Sequence, residues 1–380
     1  MIKHLRIKNY KSLEDLSLEL QPLMVFVGPN NAGKSNILDC FQFLADLVRF
    51  GGYADRDPVV AARGGFPVLV FNGEIDRKIQ IELSGEIKLN NENSRHYRYF
   101  ISIAGTEYGR YRLERETFTI KLPSGEERLI LEFPSEGETA RVWDEDGTQK
   151  GGIGAGPQGS YLFHFRNVKV YPILGRFAQQ VMNWRIFNFA PQVVQHSAPV
   201  QPVAIPDPLG TDLASVLHAL QSQYPKVYQE LVESLQALMT PPMEGGKTFI
   251  QLGERELAVS IPSVALADGT LKVLSLLSLL YSPALPGLIG IEEPENHLHV
   301  GLMEWVASKL KVLSETTQLL VTTHSPYLLN FLDPEDVVII EKKEGRTQFR
   351  YAKDFEGIKE AVRALGLGEL FYSGSLGGTP

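Results

Sequence analysis

Three observations predict an α/β fold for this 380-residue chain. First, Gly28-Pro29-Asn30-Asn31-Ala32-Gly33-Lys34-Ser35 fits G-x-x-x-x-G-K-[ST], the pattern of a phosphate-cradling loop. It lies between a short apolar strand, Leu23 to Val27, and a segment of helical period, Ser35 to Phe50, which is the context such a loop requires. Second, the last third again alternates short apolar strands with helices, the pattern of a parallel sheet covered on both faces. Third, the stretch between these halves changes character twice, from alternating β-type runs to helical spacing. The predicted class is α/β: a loop-bearing head with a mixed sheet, an antiparallel β insertion and a helical insertion. The head is discontinuous, over 1–75 and 255–345. The β insertion covers 76–170, the helical insertion 171–254, and 346–380 is left as a C-terminal segment.

Each element has its own justification. From Ile2 to Leu20 apolar residues alternate, as in two half-buried strands joined by a turn near Asn9 to Ser12. Between Lys78 and Val170 the runs Ile79–Leu83, Tyr97–Ile103, Phe118–Leu122 and Leu129–Phe133 are separated by turn residues such as Pro123-Ser124-Gly125 and Asp144-Glu145-Asp146-Gly147. "KGGIGAGPQGS", Lys150 to Ser160, is glycine-rich but lacks a preceding strand and a following helix, so a loop is expected. Tyr171 to Thr240 has helical spacing, broken by the proline-rich "APQVVQHSAPVQPVAIPDPLG" and at Pro225. Leu266–Leu280 and Val300–Leu313 are expected as helices, and Gly287–Ile291, Gln318–Thr322 and Val337–Glu341 as strands.

Composition narrows the function classes. With 43% apolar and 22% charged residues the chain has the balance of a water-soluble globular protein. No apolar run approaches the ~18 residues needed to span a bilayer, and the start runs directly into strand-like alternation, so a cytoplasmic protein without membrane association is expected. Cys40, the single cysteine, excludes an internal disulfide framework and a cysteine zinc cluster, and its apolar surroundings point to core packing. A net charge of −8 excludes a global basic field for nucleic acid. The local groups Arg95-His96-Tyr97-Arg98 and Arg110-Tyr111-Arg112 are read as the solvent faces of strands, because Glu107, Glu114 and Glu116 are mixed among them.

Four stretches carry chemistry. In the loop, Lys34 suits the β/γ-phosphates and Ser35 a magnesium ion. "LIGIEEPENHLH", Leu288 to His299, is an apolar strand ending in two carboxylates. Beside a phosphate loop, Glu292 would face the metal shell and Glu293 an attacking water. "LLVTTHSPYLLN" places His324 at another strand tip, where it can bond a terminal phosphate or the water. "LADGT" opens a helix whose first N–H groups form an anion site. One triphosphate cannot easily touch both helix ends of one head, which suggests two heads, each presenting this turn to the other's nucleotide.

These motifs, GPNNAGKS, LADGT, IEEPENHLH and TTHSP, in this order, resemble the ABC-type ATPases of the SMC, RecF and OLD branch, and most of all the stand-alone OLD-like ATPases of bacterial anti-phage defence and toxin–antitoxin operons. The motifs cover about two-fifths of the chain. The resemblance implies a Walker A loop of Gly28, Asn30, Asn31, Gly33, Lys34, Ser35 and Asn36 for ATP, and magnesium held by Ser35 and Glu292. It implies Glu293, His324 and Lys34 as catalytic groups, and a trans signature of Asp268, Gly269 and Thr270 in which Ala267 replaces the usual serine. The glutamine of a Q-loop has no match; "AARGGF" occupies its region. The implied function is an ATP-binding and ATP-hydrolysing enzyme. Its nucleotide-gated homodimer would control a partner effector, a nuclease or toxin from an adjacent gene, in anti-phage defence. Full OLD proteins append a TOPRIM nuclease, and the residues after Glu341 hold no such spaced acids, so cleavage by this chain itself is not expected. A RecF-like, DNA-binding ATPase of repair or recombination is the alternative.

Overall fold

The computed structural model describes residues 1–50, 58–89, 93–106, 110–134, 139–154, 159–235, 238–240, 243–244, 247–248, 250–253 and 260–378. Its centre is a six-stranded sheet. Strand β3 (Leu23–Val27) is flanked by β12 (Gln318–Thr323) and β13 (Val337–Lys343), with β11 (Leu288–Glu292) and β10 (Arg185–Phe187) beyond β12 and β14 (Arg346–Tyr351) beyond β13. All neighbours are parallel except β14, which pairs antiparallel with β13. Strands from both ends of the chain therefore build one sheet, as a discontinuous head requires.

β3 shows why a short continuous apolar run marks the middle of such a sheet. All five of its residues are buried. Met24 and Phe26 face one core with the loop helix α1 (Lys34–Phe50), while Leu23, Val25 and Val27 face a second core with the helix α6 (Met303–Ser314). The strand period of two sends alternate side chains into different cores. α1 is apolar around most of its circumference, because it lies between two sheets rather than on a surface.

The second sheet has eight antiparallel strands. β1 (Ile2–Tyr10) and β2 (Leu13–Glu19) form the expected hairpin, and β1 pairs on its other side with β4 (Lys78–Lys88). The sheet continues through β5 (Ser94–Gly105), β6 (Tyr111–Lys121), β7 (Glu127–Phe133), β8 (Ala140–Trp143) and β9 (Gln149–Ile153). The antiparallel region is thus continuous with the N-terminal hairpin, and its inner face packs on α1 and on α2 (Pro172–Asn183). Cys40 sits in this core at 1% exposure.

Several local readings are corrected. β10 falls within the stretch expected to be helical; three residues after Trp184 are too few to show a period. β9 takes the first residues of the glycine-rich loop expected over Lys150–Ser160, of which 155–158 lie outside the described residues. Helices α3 (Leu213–Gln223) and α4 (Pro225–Leu235) break at Pro225 as expected, but two small three-stranded sheets accompany them. β14 and the helices Ile358–Leu365 and Leu367–Tyr372 pack on the head, with Ile358, Leu367, Leu370 and Phe371 in the second core.

The basic groups of the antiparallel sheet are matched by nearby acids, on the adjacent strand, on the same strand or in the turn after β8. Arg95 pairs with Glu145, Arg98 with Glu82 and Arg112 with Glu114, while Tyr97 and Tyr99 turn inward. Arg98 and Arg112 face solvent as the sequence suggested, but Glu116, read there as an acid of that face, is fully buried and accepts from Tyr99 Oη, Ser160 Oγ and Tyr161 N, and Glu107 lies outside the described residues. Among the described residues no helix is long and apolar enough to cross a membrane.

Candidate functional site

The site lies at the carboxyl ends of the parallel strands, where open α/β sheets place their ligands. β3 delivers the loop, β11 the carboxylates and β12 the histidine. Two glycines make the loop's path possible. A Cβ on Gly28 would stand 2.0 Å from the backbone oxygen of Ile340. Gly33 has φ +107°, and its Cβ would meet Thr347 Oγ1 and Ser12 Oγ. Asn31, with φ 64°, supplies a further left-handed turn.

Lys34, 5% exposed, folds back over the loop: Nζ donates to Gly28 O at 2.8 Å and Pro29 O at 2.9 Å, with His324 Nδ1 at 3.5 Å. Burial pulls its ammonium down to about 8, opposed by the nearby charges of Glu293, Glu295 and Glu292. A lysine held on carbonyls above a loop is placed to exchange them for phosphate oxygens.

Glu292 Oε2 accepts from Asn188 Nδ2 at 3.0 Å, and Ser35 stands beside the same carboxylate. Burial raises the Glu292 carboxyl above its ordinary range, with Glu293 adding to the rise and Ser35 and Asn188 opposing it. A hydroxyl and a carboxylate in contact form an oxygen donor pair of the kind magnesium takes.

Glu293 directly follows the strand. Its N–H bonds Thr322 O at 2.9 Å, its φ is 45°, and Oε1 lies 3.1 Å from His324 Nε2. Oε2 accepts from Asn296. The His324 imidazole is held neutral below its usual range by burial and by Lys34, against the pull of Glu293 and Glu295. Lys34, Ser35, Glu292, Glu293 and His324, distant in sequence, therefore stand together.

The remaining motif residues lie elsewhere around this cluster. Asn36 Nδ2 donates to Ser12 Oγ at 2.7 Å and so ties α1 to the β1–β2 turn, while Asn31 Oδ1 is 3.5 Å from Lys342 Nζ. Asp268, Gly269 and Thr270 begin α5 (Asp268–Leu280), and Asp268 Oδ2 is 3.5 Å from His297 Nδ1. "AARGGF" docks on α1, with Arg63 bonded to Asp39 at 3.1 Å and Asp46 at 2.8 Å. Gly64 and Gly65 there have φ +88° and +93° and form a turn. A cavity of about 680 Å³ opens beside the loop helix, lined in part by Lys11, Ser12, Asn36, Pro67, Val68 and Arg346.

Three residues escaped the sequence reading. Asn188 follows the unexpected strand β10. Glu295, the third acid of "EEPEN", accepts through Oε1 from Thr323 Oγ1 at 2.5 Å and His324 N at 3.0 Å. Lys272 is buried on α5; a lone lysine in "LKVLSLLSLL" was the readable signal.

Parts of the chain are similar to known proteins. Residues 198–330 match a family model described as "AAA domain, putative AbiEii toxin, Type IV TA system", and residues 1–120 match one described as "AAA ATPase domain". Over 38 residues the chain is 55% identical to an OLD nuclease of Thermus scotoductus, 10% of this chain and 7% of that protein. Over 47 residues it is 45% identical to the DNA replication and repair protein RecF of Corynebacterium jeikeium, 12% of this chain and 11% of that one. The chain thus matches about a tenth of the length of these curated relatives. An SMC head, solved bound to the C-winged helix domain of ScpA, superposes with a TM-score of 0.56 at 12% identity, covering 92% of this chain and 96% of that one, which is a likeness of fold. The chain thus has the fold of an ABC-type ATPase head like that of SMC proteins, and parts of it are similar in sequence to AAA ATPase domains, to an OLD nuclease and to RecF.

Proposed function

We propose that the chain binds and hydrolyses ATP with magnesium, and that two copies close head to head on ATP to control a partner effector in bacterial anti-phage defence. The observation that carries the hydrolytic part is the joint placement of Lys34, the Ser35–Glu292 pair and the Glu293–His324 pair. Lys34 leaves its loop carbonyls for the β/γ-phosphate oxygens, and the backbone of Gly28 to Gly33 wraps the phosphates. The cavity beside Asn36 has the volume of a nucleoside site. Ser35 and Glu292 would hold a magnesium ion, which would supply charge neutralisation to the phosphates. Glu293 orients the water and takes its proton, and His324, whose Nε2 lies 3.1 Å from Glu293 Oε1, bonds the terminal phosphate. Asp268, Gly269 and Thr270, which begin a helix, would serve the nucleotide of the other head.

The match to the AbiEii-type model and to an OLD nuclease supports the defence reading, with a nuclease or toxin as the effector. The RecF match supports equally a DNA-binding ATPase of repair or recombination. One experiment separates them. The protein is purified both alone and with the product of its neighbouring gene, then assayed with ATP and magnesium for phosphate release, DNA cleavage and DNA binding. Phosphate release with intact DNA, plus a stable complex with the neighbour, is the expected outcome. Tight DNA binding that weakens steeply with salt would move the assignment to repair. Cleavage by the protein alone would reject control of a separate effector.

A further inference from the structure

Among the described residues two lysines are buried, Lys34 and Lys272, at 5% and 2% exposure. The first belongs to the phosphate loop. The second lies on α5, one helical turn after Asp268, and nothing in the hydrolytic scheme above uses it. Among the described residues its Nζ reaches a single long acceptor, Phe189 O at 3.5 Å, although an ammonium has three hydrogens to donate. Burial pulls it down to about 8, and the charge that most favours its protonated form is Glu295, followed by Glu293.

Glu295 shows the complementary deficit. Oε1 holds Thr323 Oγ1 and His324 N, whereas Oε2 is buried without a hydrogen-bond partner among the described residues. A buried amine short of acceptors and a buried carboxylate oxygen short of donors thus lie within one electrostatic neighbourhood, and a contact between them would satisfy both. The same helix is already seated on the segment that carries Glu295. Asp268 lies 3.5 Å from His297, and a Cβ on Gly269 would come 2.7 Å from His297 O.

We propose that Lys272 is a positioning residue which, by closing on Glu295, couples the seating of the signature turn Asp268–Thr270 to the placement of Glu293 and His324 in the same head. The proposal rests on the head-to-head reading above. A helix is rigid over one turn, so docking Asp268–Thr270 on the partner's nucleotide displaces Lys272 with it. The ammonium then passes from Phe189 O to Glu295 Oε2. Glu295 grips the His324 backbone, and His324 Nε2 faces Glu293 Oε1 at 3.1 Å. Each head would thereby hydrolyse its own ATP only after its signature had engaged the other's, which makes the two sites fire together.

The test uses the full chain. Lys272→Met, close in volume and uncharged, should bind ATP and dimerise as the unmodified protein does, with KM unchanged and kcat lowered roughly 10²-fold, the usual cost of a misplaced catalytic group. Lys272→Arg should recover part of the rate, and an unchanged kcat in Lys272→Met would overturn the proposal. Should Lys272→Met fail to fold, Glu295→Gln keeps the acceptor for Thr323 and His324 and should show the same loss in kcat.

Mixed dimers then separate a route within one head from a route across the interface. When Lys272→Met is mixed with Glu293→Gln, the one competent Glu293 belongs to the head lacking Lys272, while the signature facing its ATP belongs to a head that keeps it. The proposal expects this dimer to be as slow as the Lys272→Met homodimer. Recovery to the rate of an unmodified/Glu293→Gln dimer would show that Lys272 acts across the interface and overturn the relay alone. Heads that stay monomeric with ATP would overturn the clamp, and the relay with it.

Discussion

Glu293 Oε1 lies 3.1 Å from His324 Nε2, joining the tips of two adjacent parallel strands. Glu293 adopts φ 45°, a conformation that costs a non-glycine residue about 1 kcal/mol. Such strain persists where the surroundings over-determine it, and here the Thr322 carbonyl, Asn296 and His324 all hold the residue. The strand therefore ends in a turn that points a carboxylate at the histidine rather than into solvent. If this pair orients water, His324→Ala should leave ATP affinity within a few-fold while lowering kcat by ~10²-fold or more. Calorimetry and phosphate release on the same preparation check it; equal loss of binding and turnover would assign His324 to the loop's structure instead.

Lys34 makes a second, separable prediction. Its ammonium is buried and charged at a cost, as the fall to about 8 shows, so Lys34→Ala should leave the nucleotide-free protein at least as stable as before. ATP affinity, by contrast, should fall roughly 10²-fold, the value of about 3 kcal/mol for a charge-assisted bond. Thermal melts without nucleotide and titration calorimetry with ATP measure the two halves. Unchanged affinity would mean that phosphate does not sit on the loop.

How much of this was legible in the sequence differs by element. β3 and β12 were readable because a strand buried on both faces must be a continuous apolar run. The loop and the β11 carboxylates were readable because their chemistry restricts residue types at fixed positions. β10 was not, since Arg185–Phe187 is too short to carry a period and its place is set by pairing with β11. The continuity of the hairpin β1–β2 with β4 to β9 was also hidden, because pairing between Ile2–Lys8 and Gln80–Gly85 leaves no local mark. Glu295 and Lys272 were visible as residues but not as neighbours. Only folding brings a lysine of α5 into the field of the acid that holds His324.

Asp336 gives a pH prediction remote from the catalytic cluster. Burial, followed by repulsion from Asp333, raises its carboxyl to about 6 from an ordinary 3.8, with Lys311 partly opposing. The folded state therefore binds more protons than the unfolded state between those values. Stability falls as pH rises from about 4 to about 6, and the deficit stays constant above. Asp336→Asn should remove it, adding about 1 kcal/mol near neutral pH once partial exposure is discounted. The gain should shrink towards pH 4 and vanish near pH 3, about one unit below the unfolded value, where the wild-type side chain is largely neutral in both states. Urea midpoints at the two pH values decide, and an equal gain at both would assign the effect to packing. The backbone bond from Val25 N to Asp336 O is untouched by the change.

The last prediction joins Glu293 to the two-head arrangement. An amide of similar shape leaves the loop and the Ser35–Glu292 pair in place, so Glu293→Gln should bind ATP and magnesium nearly as before. It removes the group that takes the water's proton, so hydrolysis should fall by at least ~10²-fold. ATP would then persist between heads, and the dimer should accumulate with ATP but not with ADP, because only a ligand that binds the closed state better can shift the equilibrium. A cysteine pair reads closure directly: Thr270→Cys on the turn that opens α5 and Asn31→Cys in the loop, in a Cys40→Ala background. Asn31 already has φ 64°, so the cysteine there enters some strain, and an ATP titration must first show that the loop still binds. Cross-linking between chains should require ATP. Should the chain also pair permanently through other surfaces, light scattering would not change with nucleotide, but the cross-link still would, since it reports the distance between Thr270 of one head and Asn31 of the other. Equal cross-linking with ATP, with ADP and without nucleotide would reject the ATP-gated clamp.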